Sequence, residues 1–243
     1  MLIGILQTGH LPDEMCGQSA DYPKRFETLL AGHALTFKTW DVVNMDFPPG
    51  AHAADGWLIT GSLHGAYEDL PFIAPLEVLI REVIAAERPL VGICFGHQII
   101  AQALGGKVEK FGDGWAVGPQ GYDFGTETLS MNAWHQDQVT KPPPGAQVIA
   151  SNDFCQNAAL LYGSDAFTIQ PHPEFDHGFI TGLITHRGRG TVPDALLDNA
   201  VENMAKAPPD NARMAQIIAD FFRGKIPRTA PHLASTAPDK EGP

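Results

Sequence analysis

Cysteine is scarce: three thiols, Cys16, Cys94 and Cys155, occur in 243 residues, an odd number without any Cys-x-x-Cys spacing. This excludes a disulfide framework and argues against a structural zinc site, and it leaves room for one cysteine kept for its reactivity. Basic residues are also few, 16 Lys and Arg against 28 Asp and Glu, for a formal charge of −12. Such a field repels phosphate backbones and anionic lipid, so neither nucleic acid nor a membrane surface is an expected partner. No run approaches the roughly 20 apolar residues of a membrane span. The first residues, MLIGILQTGHLPDEM, lack the basic start of a signal peptide and read as a first strand, which makes the cytoplasm the expected location.

What is present is an ordinary globular composition, 44% hydrophobic and 18% charged, long enough for one large core. Short apolar or β-branched runs alternate with helical patterns, predicting an α/β domain with a mostly parallel sheet. Strands are expected over 2–6, 35–40, 56–60, 89–93 and 167–170, and helices over 23–33, 75–87 and 211–222. Between Gly112 and Val148 glycine-punctuated short strands, one over 128–134, predict a small antiparallel addition. From 225 to 243 the chain is rich in proline and small or polar residues, so the domain is expected to span 1–224 and to be followed by a flexible tail.

Two segments carry chemistry. In PLVGICFGHQIIAQALGG, Cys94 lies between a strand and a helix with Gly92 and Gly96 two positions to either side. A sharp strand-to-helix turn brings backbone close on both sides and needs small residues there, and it pushes the central side chain out at the sheet's carboxyl edge. The helix starting near Phe95 points its free N–H groups and positive end at the sulfur. The bland alternative is a buried small hydrophobe, which remains the reading for Cys16 and Cys155.

A cysteine nucleophile needs a histidine and an orienting group. In FTIQPHPEF, prolines on both sides of His172 bias the segment to extended geometry, in which residues i and i+2 share a side, so Glu174 is expected beside His172. The competing reading is a strand-end turn with His172 capping backbone and Glu174 solvated.

These blocks, GICFGHQ and QPHPEF together with LITGSLHGAYED, resemble the class I glutamine amidotransferase family over roughly residues 1–190, within the branch of stand-alone domains similar to the glutaminase part of GMP synthetase, which includes γ-glutamyl peptidases. The resemblance implies a flavodoxin-like three-layer fold, a Cys94–His172–Glu174 triad, a γ-glutamyl thioester, and release of ammonia or an amine without metal or cofactor. It places oxyanion-hole N–H groups at Gly61 and Phe95, and it makes Gln98 a holder of the substrate's amino-acid end. For Gln98 a helix residue bonding nearby backbone is an equal alternative. His135 and Asp137 in WHQDQV are pocket candidates, against a plain loop with an Asx-type turn. His97 is given a packing role. The chain departs from many relatives at Ala116, where a glutamate is common.

The expected activity is therefore hydrolysis of the γ-amide of glutamine or of another γ-glutamyl compound. Three outcomes stay open: a glutaminase serving a separate synthase subunit, a free-standing γ-glutamyl peptidase or amine hydrolase, and a non-catalytic module. A cysteine hydrolase or chaperone built on a similar elbow is disfavoured by QPHPEF.

Overall fold

The computed structural model describes residues 1–226 except 18 and 207. Its centre is a seven-stranded sheet. Five strands run parallel: β1 (Leu2–Leu6), β2 (Thr36–Trp40), β3 (Gly56–Ile59), β4 (Leu90–Ile93) and β11 (Ala166–Ile169). Beyond β11 the antiparallel strands β10 (Ala159–Tyr162) and β9 (Gln147–Ala150) complete the order β2-β1-β3-β4-β11-β10-β9. Counting β11 as the fifth parallel strand, this is the doubly wound order 2-1-3-4-5, whose direction reverses beside β1 and opens a crevice at the strands' carboxyl ends.

The central strands bury both faces, and their alternation assigns side chains to two cores. Ile3, Ile5, Leu58, Val91, Ile93 and Phe167 face α1 (Tyr22–Leu29) and α6 (Asn211–Phe222), against Phe26, Met214, Ile218 and Phe222. Leu6, Trp57, Ile59 and Leu90 face α2 (Ile73–Ala85) and α3 (Phe95–Ala103), against Leu76, Ile80, Ile99 and Ile100. Helix, sheet and helix thus form three layers.

The antiparallel addition is two separate two-stranded sheets, β5 (Lys107–Lys110) with β8 (Asp137–Lys141), and β6 (Ala116–Asp123) with β7 (Thr128–His135). A third apolar cluster joins β6 to the segment after β11, which contains α4 (His177–Leu183), a π-helical turn (Ile184–Gly188) and α5 (Asp194–Met204).

Several boundaries differ from those read in the sequence. The first helix ends at Leu29 rather than His33, because five turn and bend residues, including Gly32 at φ 82°, follow it. The second begins at Ile73 and carries Pro75 in its first turn, where the missing N–H has no intrahelical partner to lose. The tail expected from 225 lies, from residue 227 on, outside the described residues.

Among the described residues, no helix is long and apolar enough to cross a membrane.

Candidate active site

The elbow is built as sterics demand. Cys94 has φ 53° and ψ −103°, a conformation L residues avoid, and it stands at the N-cap of α3. Its N–H donates to the Ile169 carbonyl (2.9 Å) and that of Gly96 to the Thr60 carbonyl (3.2 Å), tying the turn to both neighbouring strands. A Cβ at Gly92 would lie 2.5 Å from the Gly96 carbonyl oxygen, and one at Gly96 would lie 2.4 Å from that of Ile59. Both obstacles are backbone and cannot swing away. Gly96→Ala is therefore expected to destabilise the fold by about 3 kcal/mol, measurable as a lowered denaturation midpoint at unchanged m-value.

His172 is held from three sides. Its N–H donates to the Asn132 carbonyl on β7 (2.8 Å), its Nδ1 lies 2.7 Å from Glu174 Oε1, and its ring stacks on Phe175 with centroids 4.0 Å apart and planes 4° apart. The extended path predicted through His172 stops there. The chain turns over Pro173 and Glu174, and the Phe175 N–H donates to the His172 carbonyl (3.3 Å). Glu174 reaches the imidazole by that turn, not by strand alternation. The Asn132 and Asn211 side-chain amides donate to the Phe175 carbonyl at 2.8 and 3.0 Å and fix the turn.

Burial alone would lower the His172 pKa, but the Glu174 carboxylate and then Cys94 outweigh it and raise it to about 10. The Glu174 carboxylate thus favours the protonated imidazole. Glu174 is itself buried and its Oε2 has no hydrogen-bond partner, so this carboxylate's role is spent on His172.

Gly61 completes the arrangement. A Cβ there would sit 2.8 Å from His172 Cε1 and 3.8 Å from Cys94 Cβ, so the glycine fits against the imidazole and the thiol-bearing carbon together. The hydroxyls of Thr8 and Thr60 donate to its carbonyl at 3.1 and 3.0 Å and fix the peptide that follows. Among the described residues, the N–H groups of Gly61 and Phe95 have no acceptor. Gly61→Ala should push the imidazole from its stack, lowering kcat on the order of 100-fold, while thermal unfolding shows an intact fold.

These groups open into one cleft of about 730 Å³, the size of a small-molecule site. Its walls also hold Gln98, His135 and Asp137. Gln98 is buried, and its amide donates to the Asp137 carbonyl (2.9 Å) and to Gln170 Oε1 (3.2 Å), so its N–H groups brace the cleft wall. His135 and Asp137 do not lie in a loop, since Gln136 alone separates β7 from β8. His135 is buried with both ring nitrogens unpartnered, and burial, with help from nearby His172, lowers its pKa to about 3. Burial raises the Asp137 pKa, against the Tyr67 hydroxyl that donates to it at 3.2 Å.

His97 packs in the interior with Nδ1 2.8 Å from Thr168 Oγ1, and burial lowers its pKa to about 3. Cys155 is buried and its thiol is pushed up to about 12, whereas Cys16, expected to be a packing residue, is exposed. Ala116 pairs with His135 across β6 and β7. No group of three or more His, Cys, Asp or Glu among the described residues could hold a metal ion.

The sequence did not point to Tyr22, Tyr67, Asn132 or Arg187. Asn132 depends on the register of a hairpin, and Tyr22 on the return of α1 to the sheet edge. Phe175, directly after the HPE triplet, carried a local signal.

A doubly wound sheet thus carries a cysteine elbow at its carboxyl edge and a buried histidine–glutamate pair beside it, and comparison with known proteins places the chain in a family. A family model, glutamine amidotransferase class-I, matches residues 29–182, more than half of the chain. The chain belongs to that family. Gamma-glutamyl peptidase 2 of Arabidopsis thaliana is 29% identical over 205 residues, covering 76% of this chain and 82% of the relative. The gamma-glutamyl-L-1-hydroxyisopropylamide hydrolase of a Pseudomonas species is 30% identical over 210 residues, covering 76% and 70%. The crystal structure of a glutamine amido transferase from Methylobacillus flagellatus superposes with a TM-score of 0.73 over 95% of this chain and 97% of that one, at 21% identity, and shares the fold.

Proposed function

We propose that the protein is a cysteine-dependent γ-glutamyl hydrolase. The observation that carries this reading is the meeting of Cys94 and His172 in the wall of the cleft, with Glu174 buried behind His172 and Gly61 packed against the first two. Cys94 Sγ attacks the γ-carbonyl carbon, and the resulting oxyanion accepts from the N–H groups of Gly61 and Phe95. Each such donor contributes on the order of 3 kcal/mol to the transition state. His172, already protonated, gives its proton to the departing nitrogen, the C–N bond breaks, and a γ-glutamyl thioester remains on Cys94. Water then attacks the thioester while neutral His172 takes its proton, the C–S bond breaks, and glutamate leaves with the Cys94 thiolate and protonated His172 restored.

Glu174 holds the imidazole in one orientation and supports its charge. Asp137, Tyr67 and neutral His135 are placed to receive the amino-acid end of the γ-glutamyl group, with Gln98 bracing that wall. Trp115 and Trp134 line the same cleft, whose volume of about 730 Å³ leaves room for a leaving group larger than ammonia. The similarity to two proteins named for γ-glutamyl hydrolysis, along most of their lengths, supports the same reading.

The alternative carried by the family is a glutaminase that delivers ammonia to a separate synthase subunit. Purified protein assayed against glutamine, γ-glutamyl amides and γ-glutamyl peptides separates the two. Faster turnover of substrates with a substituted nitrogen supports the free-standing hydrolase, and turnover confined to glutamine refutes it.

A further inference from the structure

Apart from histidines, three cationic side chains line the cleft: Lys110, Arg187 and Arg189. Arg189 is neutralised by Asp194 (2.6 Å) and Asp198 (2.8 Å). Lys110 lies in the field of Asp137, at the end of the cleft assigned to the γ-glutamyl group. Arg187 differs from both. It is half-buried, and among the described residues no carboxylate lies within ion-pair distance and no acceptor takes its N–H groups. In a chain of net charge −12, a half-buried guanidinium without an anion is unusual, because partial desolvation without a partner costs free energy.

Its position is fixed. Arg187 belongs to the π-helical turn Ile184–Gly188, a form that occurs mostly as single turns at functional sites. At the next residue, Gly188, a Cβ would meet the rim of the Trp134 ring at 3.1 Å and Leu197 at 3.0 Å, so the backbone there is wedged between β7 and α5.

The side of the cleft is also defined. Arg187 acts electrostatically on the Tyr22 hydroxyl, which also feels Cys94. The Tyr22 ring stacks on Phe175 at 6.1 Å, and Phe175 stacks on His172. These contacts put Arg187 on the side of the cleft where Tyr22 and Phe175 flank His172. Trp115, Trp134 and Val192 give that flank apolar surface.

We infer that Arg187 forms a carboxylate subsite for the leaving group, which selects γ-glutamyl amino acids and short γ-glutamyl peptides over glutamine and uncharged γ-glutamyl amides. The inference rests on the hydrolase reading above and names its substrate class. A planar guanidinium matches a carboxylate with two parallel hydrogen bonds, and the unpaired cation supplies the charge that such a ligand requires. The aromatic flank accommodates the side chain of the amino acid released.

The test is steady-state kinetics on the full chain with three substrates: γ-glutamylalanine, γ-glutamylalaninamide, which differs only in lacking the carboxylate charge, and glutamine. Wild type should prefer the acid to its amide by about tenfold to a hundredfold in kcat/KM. Arg187→Gln should erase that preference, mainly by raising KM for γ-glutamylalanine, and Arg187→Lys should restore part of it; thermal melts check the fold of each variant. A preference that survives in Arg187→Gln overturns the inference. So does an equal loss on all three substrates, which would move Arg187 to the carboxylate of the γ-glutamyl group itself. Either result leaves the hydrolase reading standing, whereas a wild type that turns over none of the three overturns both.

Discussion

Cys94→Ala is expected to lower γ-glutamyl hydrolysis by about 10⁴-fold or more, to the limit of detection, with no loss of fold. The nucleophile cannot be substituted by its neighbours. Cys155 is buried in the sheet's core with a thiol pushed up to about 12, and Cys16 is exposed and does not line the cleft. Alanine keeps the Cβ and accepts the same backbone conformation at the same strain, so the elbow and its hydrogen bonds to Ile169 and Thr60 persist. Melting temperature and circular dichroism should match wild type while ammonia or amine release disappears. Residual turnover within tenfold of wild type would mean that another group attacks the substrate.

The second large effect belongs to Glu174→Gln, for which the expected loss in kcat is about 10³-fold. The amide is nearly isosteric, but it removes the charge that supports the imidazolium and can present an N–H to Nδ1 where the carboxylate accepts. The same substitution has a signature in stability. The His172 pKa is raised from 6.5 to about 10 despite burial, with the Glu174 carboxylate the largest raising influence. A folded-state pKa above the unfolded one stabilises the protein fully below about pH 6.5, and the contribution fades as pH climbs through about 10. Wild type should lose that increment across this window and Glu174→Gln should lose less of it. The melting-temperature difference between the two is therefore expected to shrink from pH 6.5 to 10; a difference that widens contradicts the assignment.

What the sequence revealed follows the range of the interactions involved. The elbow was legible because its constraints are local: Gly92 and Gly96 are two residues from Cys94, and the clashes they avoid arise at that turn. The pairing of His172 with Glu174 was legible for the same reason, although the path between them is a turn held by the Phe175 N–H and by Asn132 and Asn211 from distant elements. The central parallel strands β1, β3, β4 and β11 were visible as short apolar runs because they are buried on both faces. The π-helical turn and α5 were not, because α5 buries little beyond Leu197 and Ala200 and its placement depends on Gly118, where a Cβ would lie 2.6 Å from Ala200. The unpaired state of Arg187 could not be read at all, since one arginine two residues further on is paired and only the packed cleft distinguishes them.

Hydrolysis by this route passes through a covalent bond between Cys94 and a γ-glutamyl group. Acid quenching during turnover of γ-glutamylalanine, followed by peptide mass mapping, should find one γ-glutamyl unit on the peptide containing Cys94 and none on those containing Cys16 or Cys155. Turnover with no such adduct at Cys94, or with the adduct on another residue, would contradict it.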